Sequence, residues 1–327
     1  MGAQDFQVQV VNETTYGTAV TTTRGFEYDS EGIEETYGRT EGTPLRRGSA
    51  YPRNDRHTPY IAGAAGPLVL PVMSKGFGFW LSHMLGSVAT TGPTDSVYTH
   101  TGNEGALAGA SGDSFTLQVN RPFHPTGTDQ AFTYAGGKVT EWTLRNNVEE
   151  NLMLELALDF ANVSTAVGLA SFAPQATMEN LSWAGGVVTI GGSAVDIDEI
   201  AITGNPGFNV DRRKIRGATE KREPTPGRRL ASFSLKCDFE SLTQRNRAAA
   251  LTRAGTLGTI VGTWTAPTLA GVSAYPQLIV TMQARFDAWK AATESYDGIQ
   301  QDLSGVAVYD GTNSPVKIEV KNTDSTA

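Results

Sequence analysis

The chain has 327 residues, 18% of them charged, with 36 glycines and a formal net charge of −8. That length allows two domains of roughly 150 residues each, and the composition is too apolar for a disordered chain. The acidic balance argues against an ordinary nucleic-acid binder, which would be basic. The single cysteine, Cys237, excludes an intramolecular disulfide.

Abundant glycine and threonine, with β-branched residues throughout, predict a mainly β protein with many turns. Met1–Asp5 lacks the basic start and apolar core of a secretory signal. No apolar run approaches the ~20 residues of a membrane-spanning helix. The chain is therefore expected to be soluble and to begin in the cytoplasm, a reducing compartment that suits one cysteine. Cys237 is expected to be a small buried hydrophobe.

Residues 1–25 are polar and threonine-rich (Thr14, Thr15, Thr21, Thr22, Thr23), with a Tyr16-Gly17 turn, and read as an extended arm outside the core. Phe26–Glu31 reads as a strand whose Glu27, Asp29 and Glu31 share one face. Three acids in a row repel one another and need water or cations opposite. Residues 39–59 carry Arg39, Arg46, Arg47, Arg53 and Arg56 against Glu41 and Asp55, punctuated by Gly42, Pro44, Gly48, Pro52 and Pro59. This predicts a long basic loop, a docking element on an acidic protein. A strand over Pro67–Val72 leads to a helix over Lys75–Leu85, where Phe77, Trp80, Leu81, Met84 and Leu85 form a core-packing stripe with His83 beside it. Residues 86–114 read as loop. Strands follow over Ser114–Asn120, Lys138–Arg145 and Asn151–Phe160, the last alternating Leu152, Leu154, Leu156 and Leu158 with Met153, Glu155, Ala157 and Asp159.

Residues 161–176 read as the connection between two halves, and the division expected is 1–165, a linker at 166–171, and 172–327. In the second half Val195–Ile200 is again an acidic strand, with Asp196 and Asp198 on one face. Residues 204–229 form a second basic loop, with Arg212, Arg213, Lys214, Arg216, Lys221, Arg222, Arg228 and Arg229 and a helix-breaking Pro206, Pro224 and Pro226. A strand over Ala231–Phe239 precedes a helix over Leu242–Ala254, capped by Ser241 and stopped by Gly255. Thr259–Thr265, Leu278–Phe286, Gly305–Tyr309 and Val316–Val320 read as strands. Acidic strand, basic loop, apolar strand and helix thus occur twice in the same order. Each half also closes on a Tyr-x-Gly turn (Tyr134-Ala-Gly136, Tyr296-Asp-Gly298) and a final alternating strand. The sequence predicts two tandem copies of a β-sandwich or barrel with one flanking α-helix each.

Catalytic signatures are missing. The chain holds no phosphate-binding Gly-x-x-x-x-Gly-Lys motif, no His-Glu-x-x-His helix and no Gly-x-Ser-x-Gly elbow. His57, His83, His100 and His124 lack paired metal spacing. Ser49, Asp55 and His57 share one loop, whereas a triad draws on separate elements. Asp196, Asp198 and Glu199 lack the spacing and glycine of a calcium loop and read as a solvated acidic face. Trp80, Trp142, Trp183, Trp264 and Trp289 are scattered, without the aromatic platform a polysaccharide hydrolase uses. No catalytic residue, metal or cofactor is expected.

The order of several short motifs carries a resemblance. Glu13-Thr-Thr-Tyr-Gly-Thr18 leads to Phe26-Glu-Tyr28; the apolar helix around Gly76–Gly86 follows; and Gly298-Ile-Gln-Gln-Asp-Leu303 precedes a Val-x-Ile-x-Val strand. Over nearly its whole length the chain resembles the major tail tube protein of long, non-contractile-tailed bacteriophages. The resemblance implies a structural virion protein, built in the host cytoplasm, whose β-sandwiches join in rings that stack into a tube. It implies partnership with a tape measure protein, a tail terminator and distal tail or tip proteins, and passage of DNA. Related rings hold six copies of the fold, so a chain with two copies is expected to form a trimer with pseudo-sixfold symmetry. Glu27, Asp29, Glu31, Asp196 and Asp198 are expected to line the lumen, where carboxylates repel DNA and keep it sliding. Arg46, Arg47, Arg53, Arg212, Arg213, Lys214 and Arg222 are expected at contacts between subunits and rings, where complementary charge sets register. A capsid decoration or tail-fibre module that binds host carbohydrate suits the composition as well, but does not account for a duplicated acidic strand and basic loop.

Overall fold

The computed structural model describes residues 6–42, 47–48, 51, 53–124, 126–215, 217, 219–250, 257–295 and 298–327. In the first half, β1 (Gln7–Asn12), β2 (Arg24–Phe26), β3 (Ser30–Glu31), β4 (Glu34–Glu41) and β5 (His57–Pro71) precede helix α1 (Gly78–Leu85). They are followed by β6 (Gly86–Thr94), β7 (Val97–Glu104), β8 (Phe115–Asn120), β9 (Ala131–Asn147), β10 (Met153–Phe160) and β11 (Asn162–Ser164). The second half contains β12 (Gly186–Ile190), β13 (Ser193–Ala194), β14 (Ile197–Asn205), β15 (Leu230–Asp238) and helix α2 (Thr243–Ala250). It ends with β16 (Gly258–Thr265), β17 (Gln277–Ser295), β18 (Gly298–Ala307) and β19 (Val316–Asn322). The fold is mainly β, and the strand pairings that build it are antiparallel.

The two halves use one pairing scheme. In the first, β1 pairs with β2 and β8, β8 with β9, β9 with β10 and β11, β10 with β5, and β5 with β4. In the second, β12 pairs with β13 and β16, β16 with β17, β17 with β18 and β19, β18 with β15, and β15 with β14. Even an irregularity recurs. Thr140 is the extra residue of a bulge on β9 against Ala157 and Leu158, and Asp287 is the extra residue on β17 against Ser304 and Gly305. Such bulges bend the strand that carries them. Counting from them sets Trp142 on Leu156 and Trp289 on Leu303 at the same places in their halves.

One hydrophobic core runs through both halves. The alternation expected of Leu152, Leu154, Leu156 and Leu158 is realised, with all four buried, each side chain contributing ~1.5–3 kcal/mol by leaving water. Helix α1 begins at Gly78 rather than Lys75, because Gly76 takes a positive φ of 82° in the turn before it. Its Phe79, Trp80, Leu81, His83, Met84 and Leu85 are all buried, so it is a core helix and not an amphipathic cover. Gly86 ends it in the left-handed region, donating its N–H to the Ser82 carbonyl. Helix α2 starts at Thr243, one residue after the expected Leu242, with Ser241 Oγ accepting from the Thr243 N–H at 3.3 Å; its expected end at Ala254 lies outside the described residues. Cys237 is buried as expected, and desolvation pushes its thiol pKa up to about 11.

Four expectations change. The N-terminal segment is not an arm: β1 is a central strand with Val8 and Val10 fully buried. Its polar look comes from Gln9, which is buried but bonded to the Ala170 carbonyl and the Ala173 N–H. The segment 86–114 contains the hairpin β6–β7, and β7 pairs with β19, tying the two halves together. Strands β17 and β18 form one long hairpin instead of the two short strands expected at Leu278–Phe286 and Gly305–Tyr309. The strand expected over Phe26–Glu31 is broken into β2 and β3 by a turn at 27–29. A break of that kind cancels simple alternation, so the three acids no longer share one strand face.

Candidate assembly surfaces

The acids singled out by the sequence have different surroundings. Glu27 and Asp29 are exposed in the turn between β2 and β3. Glu31 is not a free carboxylate: its two oxygens take Arg121 Nε at 2.9 Å and Arg121 Nη2 at 2.7 Å. Arg121 itself lies over the Phe132 ring at 4.8 Å and donates to the Ile33 carbonyl at 2.8 Å. The Glu31 carboxylate holds the guanidinium pKa above its ordinary value. Asp196 is exposed. Asp198 is the extra residue where β14 passes β15, and it accepts from Gln300 Nε2 at 2.9 Å. Asp196 and Asp198 border a groove of about 350 Å³ shared with Asn146, Trp183, Val187 and Trp264.

The basic residues divide in the same way. Arg46 lies outside the described residues. Arg47 is exposed, and Arg53 forms an exposed pair with Asp55 at 2.7 Å, a kind of contact that adds little stability. The second basic loop, between β14 and β15, folds over the first half of its own chain. Arg212 donates to the Glu223 carbonyl at 2.6 Å, and Arg213 to the Ala62 carbonyl at 2.6 Å, with the Tyr60 ring beneath it at 5.3 Å. Lys214 and Arg222 point to solvent, and Ile215 between them is fully exposed.

The contacts that hold this loop were not singled out in the sequence. Lys221 Nζ reaches Asp159 Oδ1 at 2.5 Å with both side chains almost entirely buried. Lys138 Nζ reaches Glu223 Oε1 at 2.7 Å and also donates to the carbonyls of Leu107 and Asp113. Burial pushes the Asp159 carboxyl above, and the Lys138 ammonium below, their ordinary values. An acid at the β10 position where alternation would have placed a solvent-facing group, and a lysine inside a strand, were the available signals; neither names its partner.

Besides the β7–β19 pairing, the halves meet along a second strand seam. Strand β14 pairs with β15 on one edge and with β9 on the other, from Glu199 opposite Asn147 to Gly204 opposite Trp142. Midway, Thr143 and Thr203 face each other with their Oγ1 atoms 2.9 Å apart. Gly204 is required there, since a Cβ would meet the Trp142 ring at 2.3 Å. By contrast, among the described residues β4 is paired with β5 alone, and beyond Ala284 strand β17 is paired with β18 alone. Unpaired edges of this sort expose rows of N–H and C=O groups that invite another strand.

The family model described as phage tail tube protein matches residues 4–307. No curated protein matches the chain.

Proposed function

This chain belongs to the phage tail tube protein family, and from that premise we propose that three copies close into a ring of pseudo-sixfold symmetry, which stacks to form the tube. Its role is structural, as a component of the virion tail. The observation that carries the trimer is the matched pairing scheme: apart from the β6–β7 hairpin and the short β3, the strand pairs of the first half have counterparts in the second. Residues 1–165 and 172–327 are then two copies of one unit, and cyclic closure needs half as many chains as it has units.

The exposed acids Glu27 and Asp29 in the first copy, and the exposed Asp196 and half-buried Asp198 in the second, line the lumen. Register supports treating them as counterparts, because Glu31 faces Leu68 on β5 as Ile200 faces Leu235 on β15. Carboxylates on that wall keep DNA phosphates from sticking as the genome passes. The exposed Arg47, Lys214 and Arg222 and the half-buried, Asp55-paired Arg53, with the exposed Ile215, serve the ring-to-ring contact. Further partners are the tape measure protein inside the tube and the terminator and tip proteins at its ends.

The mass of isolated rings, with class averages of end-on tubes, tests the stoichiometry. Rings of three chains with six similar lobes are expected; rings of six chains, or chains that never assemble, would overturn it.

A further inference from the structure

Resting on the tube reading above, we propose that neighbouring chains join through one strand junction of defined register, in which β4 of one chain lies along β17 of the next with Glu34 facing Lys290. The seam inside the chain supplies the pattern. Strand β9 is bordered along one edge first by β8 and then by β14. Strand β17 repeats the first part, with β16 along Gln277–Ala284, and then has an open edge where β14 would be. On the other side, β3 and the start of β4 stand where β14 stands in the second copy, Glu31 matching Ile200 and Glu34 matching Thr203, and among the described residues β4 has no partner on its outer edge. Each chain therefore carries one filled junction and the two halves of a second.

Register follows from the bulges. They align Thr143 with Lys290 and Trp142 with Trp289. Leu68 and Leu235 correspond, since they face Leu156 and Leu303. Three residues back from each, Ala65 faces Glu34 and Ser232 faces Thr203. Glu34 and Lys290 are thus the counterparts of Thr203 and Thr143, the pair in side-chain contact at the internal seam. A hydroxyl pair within the chain becomes an opposite-charge pair between chains.

The charges around Lys290 agree with this placement. Glu199 faces Lys236, Lys236 faces Asp302, and Asp302 faces Lys290 on successive strands. This row alternates in sign up to the open edge, and a neighbour's Glu34 continues the alternation. Like edges repel instead: two β4 strands would oppose glutamates and two β17 strands lysines, so only the head-to-tail contact that closes a ring is favoured. Both side chains are exposed in the single chain. Trp289 is held by its own sheet, donating Nε1–H to Gln301 Oε1 at 2.9 Å, so it does not need the glycine that Trp142 needs. The Ile33 N–H and C=O are occupied by the Glu31 carboxylate and Arg121. That pair caps the end of the edge at Ile33, so the junction begins with Glu34 opposite Lys290 and continues with Glu35 opposite Trp289.

The test is a disulfide trap in the full chain. Glu34→Cys with Lys290→Cys, oxidised after tube assembly, should give chains linked in twos and threes on a non-reducing gel, with nothing larger. Facing positions on antiparallel strands lie close enough for this bond, and each single variant should give none. Separately, Lys290→Glu should raise the concentration needed for assembly about tenfold, and adding Glu34→Lys should restore it. Tubes of the double-cysteine chain without interchain disulfides, or a charge swap that restores nothing, would overturn the register while leaving the tube intact. Failure of the unmodified chain to form rings would strike the tube reading itself.

Discussion

Lys221 and Asp159 form an ion pair of 2.5 Å whose two side chains are almost wholly withdrawn from water. The pair fastens the loop between β14 and β15 onto the last strand of the first copy. Lys221→Met should cost ~3–5 kcal/mol in denaturant unfolding, because it leaves a buried carboxylate whose Oδ2 already has no hydrogen-bond partner among the described residues. Asp159→Leu combined with Lys221→Met should recover most of that loss, since two apolar groups leave no charge behind. Equal losses for the single and double variants would show that the loop is held elsewhere.

His83 should make the fold acid-sensitive. Its ring is buried in α1 with Nε2 2.9 Å from Asn12 Oδ1, and burial followed by the nearby Lys138 charge drives its pKa down to about 3. An unfolded histidine takes its proton near 6.5. Between those values the unfolded chain binds a proton that the folded chain refuses, so this contribution is complete above pH 6.5 and shrinks as pH falls towards 3. From pH 7 to pH 5 the wild-type chain should lose ~2 kcal/mol more than His83→Gln. Parallel stability profiles would contradict this.

Glu13 should be among the least replaceable residues near the N-terminus. Its carboxylate is buried and accepts from the Gly17 and Gly136 N–H groups and from the hydroxyls of Ser114 and Thr116, at 2.7–3.0 Å. Glu13→Gln turns one acceptor into a donor that faces donors, at a cost of ~1–3 kcal/mol. Glu13→Ala strands all four groups and should cost more, read as a lower unfolding midpoint. A midpoint unchanged in both variants would rule out this role.

Replacing Glu27, Asp29, Asp196 and Asp198 together with lysine should leave tubes able to form but make them retain duplex DNA. Retention should weaken steeply with salt, as phosphate contacts do. If those tubes ignore DNA as the wild type does, the acids do not face the lumen.

Much of the fold was legible wherever one pattern had one cause. The leucines of β10 announced their buried face because the strand has a wet face opposite. The repeated acidic segments support the proposed duplication, since Glu27 and Asp29 fall at the same distance before Leu68's partner as Asp196 and Asp198 fall before Leu235's. Strand β1 was hidden because Gln9 pays its desolvation through partners far along the chain. The outer half of β17, with Arg285, Asp287 and Lys290, lacked strand character because an open edge buries little. Glu31 was misassigned to an acidic face for a different reason: nothing local reveals that Arg121, across the fold, neutralises it. The basic loop posed the same difficulty, since composition reports charge but not the carboxylates that answer it.

In the proposed ring, the covalent link between the two units also changes the kinetics of building a tube. Half of the seams in the proposed ring are the β9–β14 seam, formed when the chain folds and independent of protein concentration. A tether of this kind sets the local concentration of the second unit near millimolar or above, whatever the dilution outside. Each association event costs ~4–15 kcal/mol in lost translation and rotation, and a ring of three chains needs two such events where six separate units would need five. Nucleation of the first ring, the slowest stage of a polymer grown from discs, is thereby relieved, while growth still depends on chain supply.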